Sequence, residues 1–131
     1  MTETLPTRGQ LERQISQKLQ AFYRNRLGHQ PSKITCQLFD QKLAIIIEES
    51  ITQAEQILVK EGKKELAEQV HSQLDDAIQP ELKQVVEEII KVKIIDLLSD
   101  ATLQTGRTGM IAVLDQTPQV RNPDTIPKVK S

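Results

Sequence analysis

Over the first thirty positions apolar residues recur at steps of three and four. Leu11, Ile15, Leu19, Phe22 and Tyr23 fall on one stripe of a helix from Gln10 to Leu27. Thr7 and Gln10 have the T-x-x-Q spacing of a capping box, and Gly28 follows the last apolar residue, where a left-handed cap needs no Cβ. The period then changes to two. In "KITCQLF" Ile34, Cys36 and Leu38 alternate with Lys33, Thr35 and Gln37, the pattern of a half-buried strand, and after Asp40-Gln41 the run "KLAIII" is apolar on both faces. Together they predict a hairpin, linked by either a tight Asp-Gln turn or a longer, bulged loop.

The stretch "IIIEESITQAE" at 45–55 passes within a few residues from strand-like to acidic, and its carboxylates have two readings: a reacting centre, or the change from strand to helix. Alternation sends Glu48 and Glu49 to opposite faces, so they do not share a proton. Thr52 and Glu55 repeat the capping-box spacing, and acids near a helix N-terminus are favoured by roughly 0.3–1 kcal/mol each. The second reading therefore leads. A helix from Thr52 ends near Gly62, and a longer one from about Lys63 carries Leu66, Val70, Leu74, Ile78, Leu82, Val85, Val86 and Ile89 at fours and threes. Pro80 removes the hydrogen bond to the carbonyl of Asp76, but the stripe keeps its phase, which predicts one kinked helix rather than two. Such a helix would be ~43 Å long at ~1.5 Å per residue, more than a small domain covers. Its surplus stripe, at Leu82, Val86 and Ile89, is the expected interface of a homodimer.

"VKIIDLLSDATLQ" and "MIAVLD" supply two further strands, joined by "TGRTG" at Thr105 to Gly109. The order α-ββ-αα-ββ predicts an α+β fold, a four-stranded and largely antiparallel sheet covered by the N-terminal helix and the long kinked helix. One domain is expected over 7–116, between a flexible N-terminus at 1–6 and a flexible, proline-rich tail at 117–131.

Composition narrows the function without naming it. The 131 residues carry a net charge of −1, so no overall field attracts nucleic acid. Charge is unevenly spread, however. Up to Lys33 there is a surplus of four positive charges, and from Glu48 to Lys91 a surplus of six negative ones. The basic helix is expected to pair with the acidic layer, within or between subunits. The rival reading is a nucleic-acid or anionic-lipid contact, which the 2% aromatic content disfavours for single strands. Apolar runs no longer than Leu43 to Ile47 cannot span a bilayer, and "MTETLPTRGQ" has neither part of a signal peptide. A cytoplasmic protein is expected, peripheral to a membrane only through a partner.

No catalytic residue, cofactor or metal site is expected. His29 and His71 form no recognised motif with each other or with Cys36, and phosphate-binding glycine loops and paired CxxC spacings do not occur. His29 reads as a cap or loop residue, His71 as a solvated or interface residue, and Cys36 as a small buried apolar group. Arg24, Arg26, His29 and Lys33 are the candidate contacts for an anion or partner.

Several of these segments carry a resemblance: Gly28 and Pro31 in "GHQPSKI", Asp40, "ESITQAE", Pro80-Glu81-Leu82, Ser99-Asp100 and Thr105-Gly106. From about Thr7 to Asp115 the chain resembles the small bacterial domain family named for the MpsC component of a Na+-translocating, membrane-potential-generating system. Relatives carry arginines around "QVHSQLDDAIQ", a glycine near Lys91 and a histidine near Leu98, which this chain lacks. The resemblance implies a non-enzymatic accessory or regulatory module beside a membrane ion or inorganic-carbon transport system. A nucleic-acid-binding regulator using the basic helix, or a small-anion sensor near Gly28 to Lys33, is the alternative.

Overall fold

The computed structural model describes residues 4–128. Helix α1 (Arg8–Leu27) leads into the hairpin β1 (Lys33–Phe39) and β2 (Lys42–Glu48). Helices α2 (Gln53–Lys60) and α3 (Lys64–Ile90) follow, then the hairpin β3 (Ile94–Thr102) and β4 (Arg107–Leu114). The strands form one antiparallel sheet in the order β1-β2-β4-β3. The fold is α+β with the expected element order. Both capping boxes form: Thr7 and Gln10 cap α1, Thr52 and Glu55 cap α2, and Gly28 closes α1 at φ 66. Phe39 pairs with Lys42, so the first hairpin turns on Asp40-Gln41 alone, with Asp40 at φ 52. An aspartate tolerates that left-handed conformation better than most residues.

Helices cover one face of the sheet. Ile15 and Leu19 of α1 and Leu82 and Val86 of α3, all at 0% exposure, join one core with Leu43, Ile45 and Ile47 of β2 and Met110, Ala112 and Leu114 of β4. The opposite positions make up the other face. There Ile46 lies across from Gly109, Ala44 from Ile111 and Ile111 from Leu98, with Leu98 56% and Ile46 39% exposed. Glu48 and Arg107 pair at one end of this bare face. An irregularity between Ile94 and Asp96 inserts Ile95 as an unpaired residue, which turns Asp96 outward and Leu97 toward the core. Without it the alternation would carry Asp96 inward. At the outer edge of β1 the Leu38 N–H donates to the Glu12 carboxylate at 2.7 Å.

The structure corrects the placement of the long stripe. Helix α3 runs unbroken through Pro80, but Leu82 and Val86 are buried in the chain's own core, and Ile89 is half-buried against it. They leave no apolar surplus for a partner. The sheet consumes the C-terminal half of α3, while α2 packs on α3 toward its other end, where Leu66 is 45% exposed. The tail also differs from expectation. Val120 and Ile126 are buried in the core, the Arg121 N–H donates to the Pro6 carbonyl at 2.8 Å, and Asp40 donates to the Pro127 carbonyl. Isolated apolar residues between prolines have no period, so the sequence carried no sign of this packing. Residues 1–3 and 129–131 of the segments expected to be flexible lie outside the described residues.

Leu82→Ala should lower stability by about 2–5 kcal/mol in urea unfolding, as a cavity in a close-packed core requires, and leave the sedimentation coefficient unchanged. A lost oligomer with an unchanged unfolding midpoint would place Leu82 at an interface instead.

Candidate functional site

The chain leaves β2 at Glu48 and turns on Glu49, a non-glycine residue at φ 51. Ser50 and Thr108, 4% and 2% exposed, share a hydrogen bond of 2.7 Å, and the Ser50 N–H donates to the Gly106 carbonyl at 2.8 Å. These bonds tie the strand exit to the second hairpin. Two residues on, the Thr52 hydroxyl accepts from the Glu55 N–H at 3.3 Å, and its O–H and backbone N–H both donate to Glu55 Oε1, at 2.8 and 3.2 Å. Glu55 is only 1% exposed, and its second oxygen accepts from His71 Nδ1 of α3 at 2.7 Å. The acid of the cap is therefore also one half of a buried carboxylate–histidine pair that clamps α2 to α3.

The pair sets its own charge. Burial works to raise the Glu55 carboxyl, but hydrogen bonds from His71 and Thr52 outweigh it and hold the group below its ordinary value of 4.5. The bond to Glu55 raises His71 above 6.5 despite burial, with Asp75 and Asp100 adding to the rise. With Nδ1 committed to Glu55, Nε2 is the nitrogen left for the cleft of about 410 Å³ that His71 lines with Ser72, Asp75, Ser99 and Asp100. Among the described residues no group of three or more His, Cys, Asp or Glu side chains is placed to hold a metal ion. His71 escaped the sequence reading because Glu55 is sixteen residues away. The available signal was its position one turn after Ala67 and two turns before Ile78, both buried on α3.

The four candidate contacts do not form one site. Arg26 makes a two-pronged ion pair with Glu81 of α3, at 2.6 and 3.0 Å, and His29 Nε2 donates to the Glu49 carbonyl at 2.7 Å. Both line one cleft of about 530 Å³, which Arg24 and Lys33 do not reach. Cys36 is half-buried, and burial with the Glu12 carboxylate pushes its thiol up to about 12, far from the thiolate a nucleophile requires. A larger cleft, of about 830 Å³, opens where the start of α1, the end of α3 and the segment after β4 meet. The sequence reading did not mark it, since it joins three distant parts of the chain.

The fold and these surfaces define a two-layer α+β domain with one bare sheet face, and no helix among the described residues is long and apolar enough to cross a membrane. The family model described as "Na+-translocating membrane potential-generating system (MpsC)" matches residues 7–116, and the chain belongs to that family. Comparisons with curated proteins and with solved structures give no match.

The pair dictates a pH dependence. Glu55, depressed, contributes stability that is present above pH 4.5 and lost as pH falls through its folded pKa; His71, raised, contributes stability that is present below pH 6.5 and lost as pH rises through its folded pKa. His71→Asn should cost about 1.5–3 kcal/mol between those two pH values, the range for a charge-assisted bond. The difference from the parent should shrink steadily at higher pH in urea unfolding. A difference that stays constant to alkaline pH would mean the pair is not charged.

Proposed function

We propose that this chain is a non-enzymatic binding module of a membrane-associated ion-translocating or inorganic-carbon transport system, acting as a homodimer assembled through its bare sheet face. Membership of the MpsC family supports the link to a Na+-translocating membrane system, and the apolar, uncovered face supports a role exercised through protein contacts. That face carries the proposal. An exposed apolar surface rimmed by charge is the usual mark of an interaction site.

A second copy is the occupant that fits. When two such faces meet about a two-fold axis parallel to the strands, each β2 lies over the partner's β4, because these are the two central strands. The register then sets unlike residues against each other. Ile46 falls opposite a glycine, Gly109; Ala44 falls opposite Ile111; and Glu48, one residue past the paired register, falls toward Arg107, its ion-pair partner within each chain. Large meets small and acid meets base, which is what a self-complementary interface needs. Face-to-face sheets pack about 10 Å apart and close to aligned, so this geometry lies within the ordinary range. The arginines proposed for nucleic acid gain no comparable support, since Arg26 is paired with Glu81.

Sedimentation equilibrium of the full chain should show a dimer at micromolar concentrations. Ile46→Asp with Leu98→Asp should give a monomer with an unchanged circular dichroism spectrum. A parent protein that is monomeric, or a dimer indifferent to both substitutions, would rule out this face as the dimer interface. Affinity purification from detergent-solubilised membranes with nuclease should co-purify ion-translocating membrane subunits. Recovery that nuclease abolishes would point to a nucleic-acid regulator instead.

A further inference from the structure

Unlike the cleft around His71, which Asp75 and Asp100 line, the cleft at the junction of α1, α3 and the C-terminal segment is lined by no carboxylate among the described residues. Its charged side chains are Arg13, Lys91 and Arg121, and none of the three makes an ion pair among the described residues. By contrast, Arg8, Arg26 and Arg107 are each matched to a glutamate. In a chain of net charge −1, a cluster of unmatched bases is a local departure from the whole. The N-terminus of α1 opens onto the same cleft and has no acid in its first turn, so its dipole adds to the positive potential. The carbonyl end of α3 works in the opposite direction. Lys91, immediately after that end, is placed to offset it, which leaves the two arginines in surplus.

The walls are held in place. Arg121 is fixed across the start of α1 by its N–H bond to the Pro6 carbonyl and by its guanidinium to Gln10 Oε1 at 3.3 Å. The segment that carries it is anchored by Val120 and Ile126 in the core. Leu11, Ile90 and Val92, all nearly buried, supply an apolar floor, and glutamines of α1 and of the C-terminal segment supply neutral amides. Lys91 itself sits at φ 61, a left-handed position where glycine is the relaxed choice. A side chain is thus present at a backbone position that disfavours one.

We propose that this cleft binds a small organic anion bearing carboxylate or phosphate groups, with Arg13 and Arg121 as its charge partners and the glutamine amides as ligands for its neutral polar groups. A planar guanidinium matches either oxyanion in two-pronged fashion, and about 830 Å³ lies within the ordinary range for small-molecule sites. This site is separate from the Gly28 to Lys33 region and from the bare sheet face, so its test stands apart from the test of dimerisation.

Calorimetric titration of the full chain with citrate as the carboxylate probe and ADP as the phosphate probe, at matched ionic strength, distinguishes the two chemistries. Saturable binding of at least one probe at one site per chain is expected. Arg13→Gln with Arg121→Gln should weaken it by about tenfold or more, while Arg24→Gln should bind as the parent does. Lys91→Gly gives a second reading: relief of the left-handed lysine should raise the melting temperature, and loss of the positive charge should weaken binding, so folding and affinity move in opposite directions. No saturable heat with either probe up to ~10 mM, or equal losses for Arg24→Gln and the double variant, would overturn the proposal. So would non-saturating binding that disappears with modest salt.

Discussion

Two helices resting on one face of a four-stranded sheet determine nearly everything else about this molecule. Ile15 and Leu19 from α1 and Leu82 and Val86 from α3 meet the inward residues of β2 and β4, and all of them are sealed from water. Burying a side chain of this size fully is worth roughly 1.5–3 kcal/mol, so the contact outweighs any polar interaction in the fold. It also has a geometric consequence. Strand side chains alternate, so every residue committed to the helices sends its neighbour to the opposite face, and no remaining element among the described residues covers that face. On β2 the neighbours Ala44 and Ile46 are themselves apolar, and on β4 so are Ile111 and Val113. A sheet intended for water on that side would place polar groups there.

The strand-to-helix junction shows how one carboxylate can serve both local and tertiary structure. As a cap, Glu55 satisfies the Thr52 N–H that would otherwise be left without a helical partner. As the partner of His71, it fixes how α2 lies on α3. The two duties are compatible because a carboxylate has two oxygens: Oε1 serves Thr52 and Oε2 serves His71. Its burial is tolerable only because both oxygens are satisfied. A buried ion without such partners would cost several kcal/mol.

What could be read in the chain follows from the range over which each signal acts. Caps, turns and alternation act over three to seven residues, so Thr7, Gly28, Thr52 and the two hairpins were legible from spacing alone. The α+β order followed from the same patterns. Pairings between distant segments left no periodic trace: His71 with Glu55, Arg26 with Glu81, and Arg121 with Pro6. The long stripe of α3 was seen correctly as apolar, but its surroundings were not. Leu82 and Val86 lie inside because α3 divides its length between the sheet and α2, so a long helix on a small sheet does not by itself imply an apolar surplus. The clue to the bare face was already present in "KLAIII", apolar on both sides, a pattern that requires something apolar on each side of the strand.

Charge complementarity along the chain turns out to contribute direction more than strength. The basic N-terminal region and the acidic helical layer do meet, through Arg26 and Glu81, but both side chains are nearly half exposed. A pair so hydrated is worth about 0–1 kcal/mol, less than one buried leucine. It can therefore favour one alignment of α1 on α3 without supplying much of the energy that holds them together. The matched arginines are thus spent on alignment, each near a glutamate, and Arg13 and Arg121, which align nothing through an ion pair, stand together over a cleft without acids. Two acids of α3 have partners elsewhere: Glu81 takes Arg26 near the end of α1, and Glu87 in the last turn accepts from the Ile94 N–H at 2.8 Å, so neither lines the cleft where that turn meets the start of α1 and the C-terminal segment.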